Sequence, residues 1–453
     1  MQFKQYPSYK NSGVEWLGGV PEHWSITPLK FAIKNWRNGK WGYDVVEASD
    51  DNLVCVRVAD FDRQKGVINT EKLTLRNYKG ERVSDCLLNE NHILIERSGG
   101  GENQLVGATV KFSLNIKAVC SNFISLLEIK TNYFDLDFIQ YYFDHLYSLN
   151  VNKLSIKQTS GIQNLDLKQY VQNHISFPEI FEQTQIVLFL DTETARIDNL
   201  ISKQEKLIEL LEEQRKSIIS HAVTKGLNPD APMKDSGVEW LGEVPEHWMT
   251  PSSKHLLEIP ITDGPHETPN FVDDGIPFIS AEAISKGKID FDKKRGYITP
   301  ELNAIYSKKY SPKVEDIYMV KSGATTGKVA MVETTETFNI WSPLAVFRCN
   351  KNKVLPKFLL AVFNSSHFYD ALVLNWSYGT QQNIGMGVLS NIEIPCPPLK
   401  EQAEIIQHLD VQNTKFDKLI GTQSQLIEKL KEYRSTIISH AVTGKIDVRE
   451  FGA

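Results

Sequence analysis

Several short stretches carry residue types that could do chemistry. Ser322–Val329 reads SGATTGKV, glycine-rich with a lysine, as a phosphate-cradling loop would be. A P-loop needs four residues between its glycines and a Ser or Thr after the lysine. Here three residues intervene and Val329 follows Lys328. HETPN, from His266 to Asn270, lacks the second histidine of a zinc-protease helix. The glycines of SGGGEN, Ser98 to Asn103, fail the dinucleotide spacing at Gln104. Asn228-Pro229-Asp230-Ala231 is not an NPPY- or DPPY-like methyltransferase tetrapeptide, and Glu128-Ile129-Lys130 is a nuclease-like triplet of a kind that chance often supplies. The five cysteines are scattered with no CxxC pair, which favours buried thiols over a zinc site or a disulfide framework. No Ser/His/Asp set can be assigned from sequence, so a self-contained enzyme is disfavoured and catalytic and metal-binding residues are expected to be absent.

What remains is a chain of 453 residues, too long for one hydrophobic core. The polar start has no apolar signal core and no run approaches a membrane span, so a cytoplasmic location is expected. The net charge of −6 argues at first against nucleic acid, but it is unevenly spread. Residues 25–178 carry 18 Lys and Arg against 17 Asp and Glu, and residues 249–396 carry 15 against 15. Residues 179–248 carry 7 against 14, so the acidity lies mainly between two near-neutral lobes. A neutral lobe can still present a basic face, because phosphate contacts depend on local charge.

The elements that position these lobes are written twice. SGVEWLGGVPEHW, Ser12 to Trp24, returns as SGVEWLGEVPEHW, Ser236 to Trp248. Glu182 to Thr224 returns as Glu401 to Thr443, with a constant offset of 219 and no gap. The chain is therefore a tandem duplication of motif, lobe and long segment, far longer in period than a solenoid repeat. Both long segments lack proline and carry a heptad seam. The first runs Ile186, Leu190, Glu193, Ile197, Leu200, Gln204, Leu207, Leu211, Gln214 and Ile218. The second runs Ile405, Leu409, Gln412, Phe416, Leu419, Gln423, Leu426, Leu430, Tyr433 and Ile437. Two equal seams predict two helices paired with each other, Gln204 and Gln423 placing an amide in equivalent layers. The span Ile186–Ile218 makes a rod of about 50 Å, long enough to hold two lobes apart. Trp16, Leu17, Val20 and Trp24, with Trp240, Leu241, Val244 and Trp248, read as an apolar clip between helix end and lobe. Pro21 and Pro245 make each clip a turn or extended segment.

The lobes share landmarks despite divergence. His92–Gly101 and Asp316–Thr325 each read as a strand ending in a basic residue and Ser-Gly. Tyr133–Leu149 and Pro356–Val373 read as helices. Ser160–Leu167 and Tyr378–Met386 are Gly/Gln/Asn-rich closers, followed by strands that end at Pro178 and Pro398. The expected fold is α+β: two similar lobes in tandem, each followed by a long helix.

This arrangement resembles the specificity subunit of type I restriction–modification systems across essentially the whole chain. The strongest signals are the duplication, the boundaries that run from the Gln/Asn closers to the Glu-Gln helix starts, and DGPHETPNF…GIPFISAEAI, Asp263 to Ile284. The resemblance implies a target-recognition domain at 1–178 with its clip at 12–24, and a spacer helix at 179–224. A second domain follows at 225–396 with its clip at 236–248, then a second helix at 397–443 and a tail at 444–453. It implies that each lobe reads one half of a bipartite, asymmetric double-stranded DNA target. The helices would pair antiparallel and set the spacing. Two methyltransferase subunits would dock, motor–nuclease subunits would join, and this chain would catalyse nothing. No cofactor is expected on this chain, whereas the partner methyltransferase is expected to use S-adenosylmethionine. Lobe one lacks the DGxHxTP string, so its target cannot be inferred from lobe two. Candidate DNA contacts follow from side-chain chemistry. Arg97, Ser98, Lys321, Ser322, Thr325, Thr326 and Lys328 suit phosphate. Arg57, His266, Gln163, Asn164, Gln381, Gln382 and Asn383 suit base edges. The alternative is a coiled-coil scaffold with protein- or sugar-binding lobes.

Overall fold

The structure, a computed structural model, describes residues 3–101, 104–159, 161–285, 287–375, 377–378 and 382–451. Two compact units emerge, and they are not consecutive in sequence. One contains residues 1–203 and 425–453, the other residues 204–424. Each unit thus holds one lobe, the adjoining part of its own long helix and part of the other long helix. Among the described residues no helix is long and apolar enough to cross a membrane.

The two lobes have the same sheets in the same order. In lobe one, buried apolar runs form a four-stranded antiparallel sheet, Thr109–Lys111, His92–Glu96, Ile124–Ile129 and Ile33–Asn38. Beside it lie Ala118–Cys120, Asn52–Val56 and Thr74–Asn77, the first two parallel. Lobe two repeats this with Val329–Met331, Ile317–Val320, Leu344–Phe347 and Thr262–Asp263. Its three-stranded sheet is Asn339–Ile340, Ile276–Ile279 and Gly296–Ile298, again with one parallel pair. The helix expected at 133–149 spans Leu136–Ser148, and Asp135 caps it by accepting from the amides of Asp137 and Phe138. The single helix expected at 356–373 is instead two, Pro356–Phe363 and Ser366–Asn375. The break has a local cause. The Ser365 hydroxyl donates to Val362 O and accepts from the Phe368 amide, competing with the helix ladder.

The long helices run Ile180–Lys225 and Leu399–Val442. Within each unit their parts are antiparallel. In the first unit Asp198 meets Arg434 at 3.0 Å, whereas Phe189 lies against Phe451. In the second, Arg215 pairs with Asp417 at 2.5 Å, and Gly226 lies against Glu401. The seam departs from a strict heptad. Leu207, Leu419 and Leu426 are exposed, and Leu200 is only half-buried. The better-buried positions are Ile201 and Ile208 in the first helix and Ile420 and Ile427 in the second. From Ile186 to Ala222 the stripe makes ten steps in 36 residues, 3.6 per step. Ile186, Leu190, Ile197, Ile405, Leu409, Phe416 and Ile437 are buried where the heptad places them. Gln204, Leu211, Ile218, Gln423 and Leu430 are half-buried, and the buried Gln204 Oε1 has no hydrogen-bond partner.

Each clip fastens both helices of its unit. Tyr9–Asn11 pairs with Gly19–Pro21, and Met233–Asp235 with Glu243–Pro245. Trp24 and Trp248 are fully buried, their indole Nε1 donating to Glu182 and Glu401 at the start of the lobe's own helix. The end of the other helix docks on the same clip. Lys445 donates to Leu17 O and Gly19 O, and Lys225 donates to Glu243 O. Gly444 and Gly226 have positive φ there, and a Cβ on Gly444 would lie 2.4 Å from Pro21. The glutamines next to the clip glutamates tie helix to lobe. Gln183 accepts from Asp135 N and donates to Pro178 O. Gln402 accepts from Leu355 N and donates to Pro397 O.

Candidate nucleic-acid interface

In lobe one the fold brings together residues 66 positions apart. After strand His92–Glu96, the backbone amides of Arg97 and Ser98 donate to Phe123 O. Ser98–Gly99 then pairs with Ile162–Leu165, which in turn pairs with Ile156–Thr159. Ser98 therefore lies opposite Asn164, its hydroxyl 2.6 Å from Asn164 Oδ1. Arg97 Nη2 reaches Asn122 O at 3.3 Å, and its buried Nε has no partner. Asn164 is exposed at the rim.

Lobe two repeats the arrangement. Lys321 N donates to Pro343 O, Ile384 N donates to Lys321 O, and Ser322 bridges to Asn383. So Arg97 and Lys321, Ser98 and Ser322, and Asn164 and Asn383 are structural counterparts. Asn383 is exposed like Asn164. Gln382 continues the strand beside Ser377–Tyr378, and Gln381 lies outside the described residues.

A second shared feature is a pinned glycine beside each cluster. A Cβ on Gly39 would lie 2.0 Å from Cys120 O, and one on Gly264 would lie 2.0 Å from Ile340 O. In both cases the carbonyl belongs to the short strand of the parallel pair. Lobe one therefore has the counterpart of the glycine in DGPHETP without the rest of that string. Two residues beyond each pinned glycine stand Trp41 and His266. Arg76 lies 4.8 Å over the Trp41 ring and is held by Asp44. In lobe two Arg295 lies 4.6 Å over Trp341.

Asp263, next to the pinned Gly264, gathers two lysines and a histidine. Lys309 Nζ lies at 2.6 Å, Lys321 Nζ at 3.1 Å and His266 Nε2 at 3.0 Å. Burial pushes the Asp263 carboxyl up, but Lys309 and Lys321 outweigh it and hold it below its ordinary value. In lobe one a buried carboxylate, Glu96, stands one residue before Arg97. It is raised by burial, with Arg63 at 2.7 Å opposing.

Both lobes thus carry one constellation on one topology, and residues 44–210 and 245–432 each match the type I restriction modification DNA specificity domain. The chain belongs to that family. Among its curated relatives, the Type I restriction enzyme MjaVIII specificity subunit of Methanocaldococcus jannaschii is 24% identical over 97% of both chains. The EcoKI specificity subunit of Escherichia coli is 29% identical over 45% of this chain and 44% of its own. A solved chain described under complex assembly and conformational transition of the type I R-M system superposes with a TM-score of 0.67. It covers 93% of this chain and 98% of its own at 15% identity, a likeness of fold. Nothing supports the scaffold alternative.

Placed on these DNA specificity domains, the sequence candidates separate. Arg97, Asn164, His266, Lys321, Ser322, Thr325, Lys328 and Asn383 are at least partly accessible. Three candidates are buried and already hydrogen-bonded within the lobes. Gln163 is buried, its amide accepting from Val106 N and donating to Gly101 O, so it braces the glycine loop. Ser98 is buried and spends its hydroxyl on Asn164. Thr326 is buried and donates to Gly323 O. Arg57 is half-buried and clamps Asp60 and Lys72 O, holding a loop of lobe one. Sequence reasoning missed Gly39, Trp41, Arg76, Asp263 and Lys309. Asp263 and Gly264 lay within a quoted string, but nothing local marks Lys309, 46 positions from Asp263.

Proposed function

We propose that this chain is the sequence-specificity subunit of a type I restriction–modification complex. Each lobe reads one half of a two-part asymmetric DNA target, and the paired helices set the spacer between the halves. The helices and lobes dock two methyltransferase subunits, and motor–nuclease subunits join that assembly. The chain performs no chemistry and binds no cofactor. The methyltransferase partner supplies methyl transfer from S-adenosylmethionine. The observation that carries this reading is the repeated lobe: two specificity domains with the same strand order in their two main sheets and the same arrangement of a basic residue, Ser and Asn, in one chain. Fusing two half-site readers achieves what a symmetric dimer achieves on a palindrome, and divergence between the lobes frees the two halves to differ.

Single-molecule methylation mapping of DNA from cells expressing this chain with its methyltransferase subunit tests the proposal. The expected result is a methylated two-part motif that disappears without this chain. An assembled, active partner that methylates no new motif overturns it.

A further inference from the structure

The duplication allows one lobe to be read against the other. Before the pinned glycine, lobe one has Asn38 and lobe two has Asp263. Asn38 Oδ1 accepts the Ser125 hydroxyl at 2.8 Å, a neutral contact. Asp263 instead holds Lys309, Lys321 and His266. The group is graded outward: the side chains of Asp263 and Lys321 are 8% and 13% exposed, those of Lys309 and His266 52% and 71%. Lys309 follows the short helix Pro300–Tyr306, and the strand-to-strand connection containing that helix also staples the loop, because the Tyr306 hydroxyl donates to Glu267. A buried carboxylate facing two lysines and a histidine fixes where they point, and the two outer side chains, Lys309 and His266, face solvent.

We propose that Asp263 is a positioning residue that holds Lys309, with Lys321 and His266, as one cationic anchor for the phosphate backbone of the half-site read by lobe two. The inference rests on the DNA-specificity reading and goes beyond it by assigning this anchor to one lobe. At the matching position lobe one has Asn38 in place of the carboxylate, and no such cluster forms there among the described residues. Phosphate contacts fix orientation without carrying sequence, so the anchor sets affinity and salt dependence while the bases recognised stay the same.

The test uses the full-length chain assembled with its methyltransferase subunit, binding DNA that carries the mapped target over a series of salt concentrations. Lys309→Ala should reduce the slope of log affinity against log salt by about one, and Lys309→Arg should keep the wild-type slope. Asp263→Asn removes a negative charge, so charge counting alone predicts tighter binding. Positioning predicts the opposite, a loss of roughly tenfold at low salt, with both halves of the target unchanged. An unchanged slope in Lys309→Ala, or Asp263→Asn binding as tightly as wild type, overturns the anchor. A wild-type complex that binds no DNA sequence preferentially overturns the functional reading itself.

Discussion

Glu182 accepts from the Trp24 indole at 3.0 Å and the Tyr6 hydroxyl at 2.7 Å, and its second oxygen meets His23 at 2.9 Å. Its copy, Glu401, meets Trp248 at 3.1 Å and His247 at 2.8 Å, with no tyrosine among the described residues in the place of Tyr6. Burial, reinforced by Glu182, pushes the Tyr6 hydroxyl well above its usual value, so Tyr6 stays a donor across the accessible pH range. Losing the acceptor while the donors stay buried costs about 1–3 kcal/mol for each stranded group. Glu182→Ala strands two buried donors, and Glu401→Ala strands one beside an exposed histidine. The first should therefore destabilise by about 2–6 kcal/mol and the second by about 1–3 kcal/mol. Urea unfolding of the two variants, followed by tryptophan fluorescence, checks this, and equal losses would contradict it. The repeated Glu-Gln start of both helices was visible in the sequence as a boundary. Its purpose was not, because the tryptophans it holds lie more than 150 positions away.

At the scale of elements, helix Leu136–Ser148 packs His145 against Trp16 at 5.7 Å, whereas lobe two packs Phe368 against the matching Trp240 at 6.2 Å. Both His145 ring nitrogens are buried without partners, and burial, with His440 and Lys445 adding to it, lowers the imidazole to about 4. On the same helix, burial raises Asp144 to about 7, against the pull of Arg434 and Gln140. The two groups bias stability in opposite directions. The folded state binds more protons at Asp144 than the unfolded chain does, so that term weakens as pH rises from about 4 to 7. It binds fewer at His145, so that term strengthens as pH rises from about 4 to 6.5. His145→Phe, which copies lobe two, should remove the second term and leave stability falling more steeply with pH over this window than in wild type. Thermal melts between pH 4.5 and 7 measure the slope, and an equal or shallower fall would refute the assignment. Element by element, the sequence was legible where a pattern is periodic. Both long helices, the clips and the lobe order follow from spacing and duplication. The seam drifted at Leu207, Leu419 and Leu426 because ten residues fit 3.5 and 3.6 periods almost equally well, and only packing separates them. The Ser365 break and the Asp263 cluster depend on contacts that no local pattern encodes.

For the whole molecule, both compact units end within the long helices, at Lys203/Gln204 in one and Ser424/Gln425 in the other. If the helices are the ruler of the proposed target, lengthening both at these points should lengthen the spacer. Seven residues add about 10.5 Å of rise and turn each helix to within about 20° of two whole turns. At 3.4 Å per base pair the insertion corresponds to about three base pairs of DNA. A chain with seven helical residues inserted after both Lys203 and Ser424 should methylate the same two half-sequences with a spacer about three base pairs longer. Insertion into one helix alone leaves seven residues without a partner between two fixed antiparallel pairings, Asp198–Arg434 and Arg215–Asp417, and assembly should fail. Methylation mapping reads both variants. An assembled double insertion that keeps the original spacer removes the ruler from the mechanism and leaves the lobes alone to define the distance.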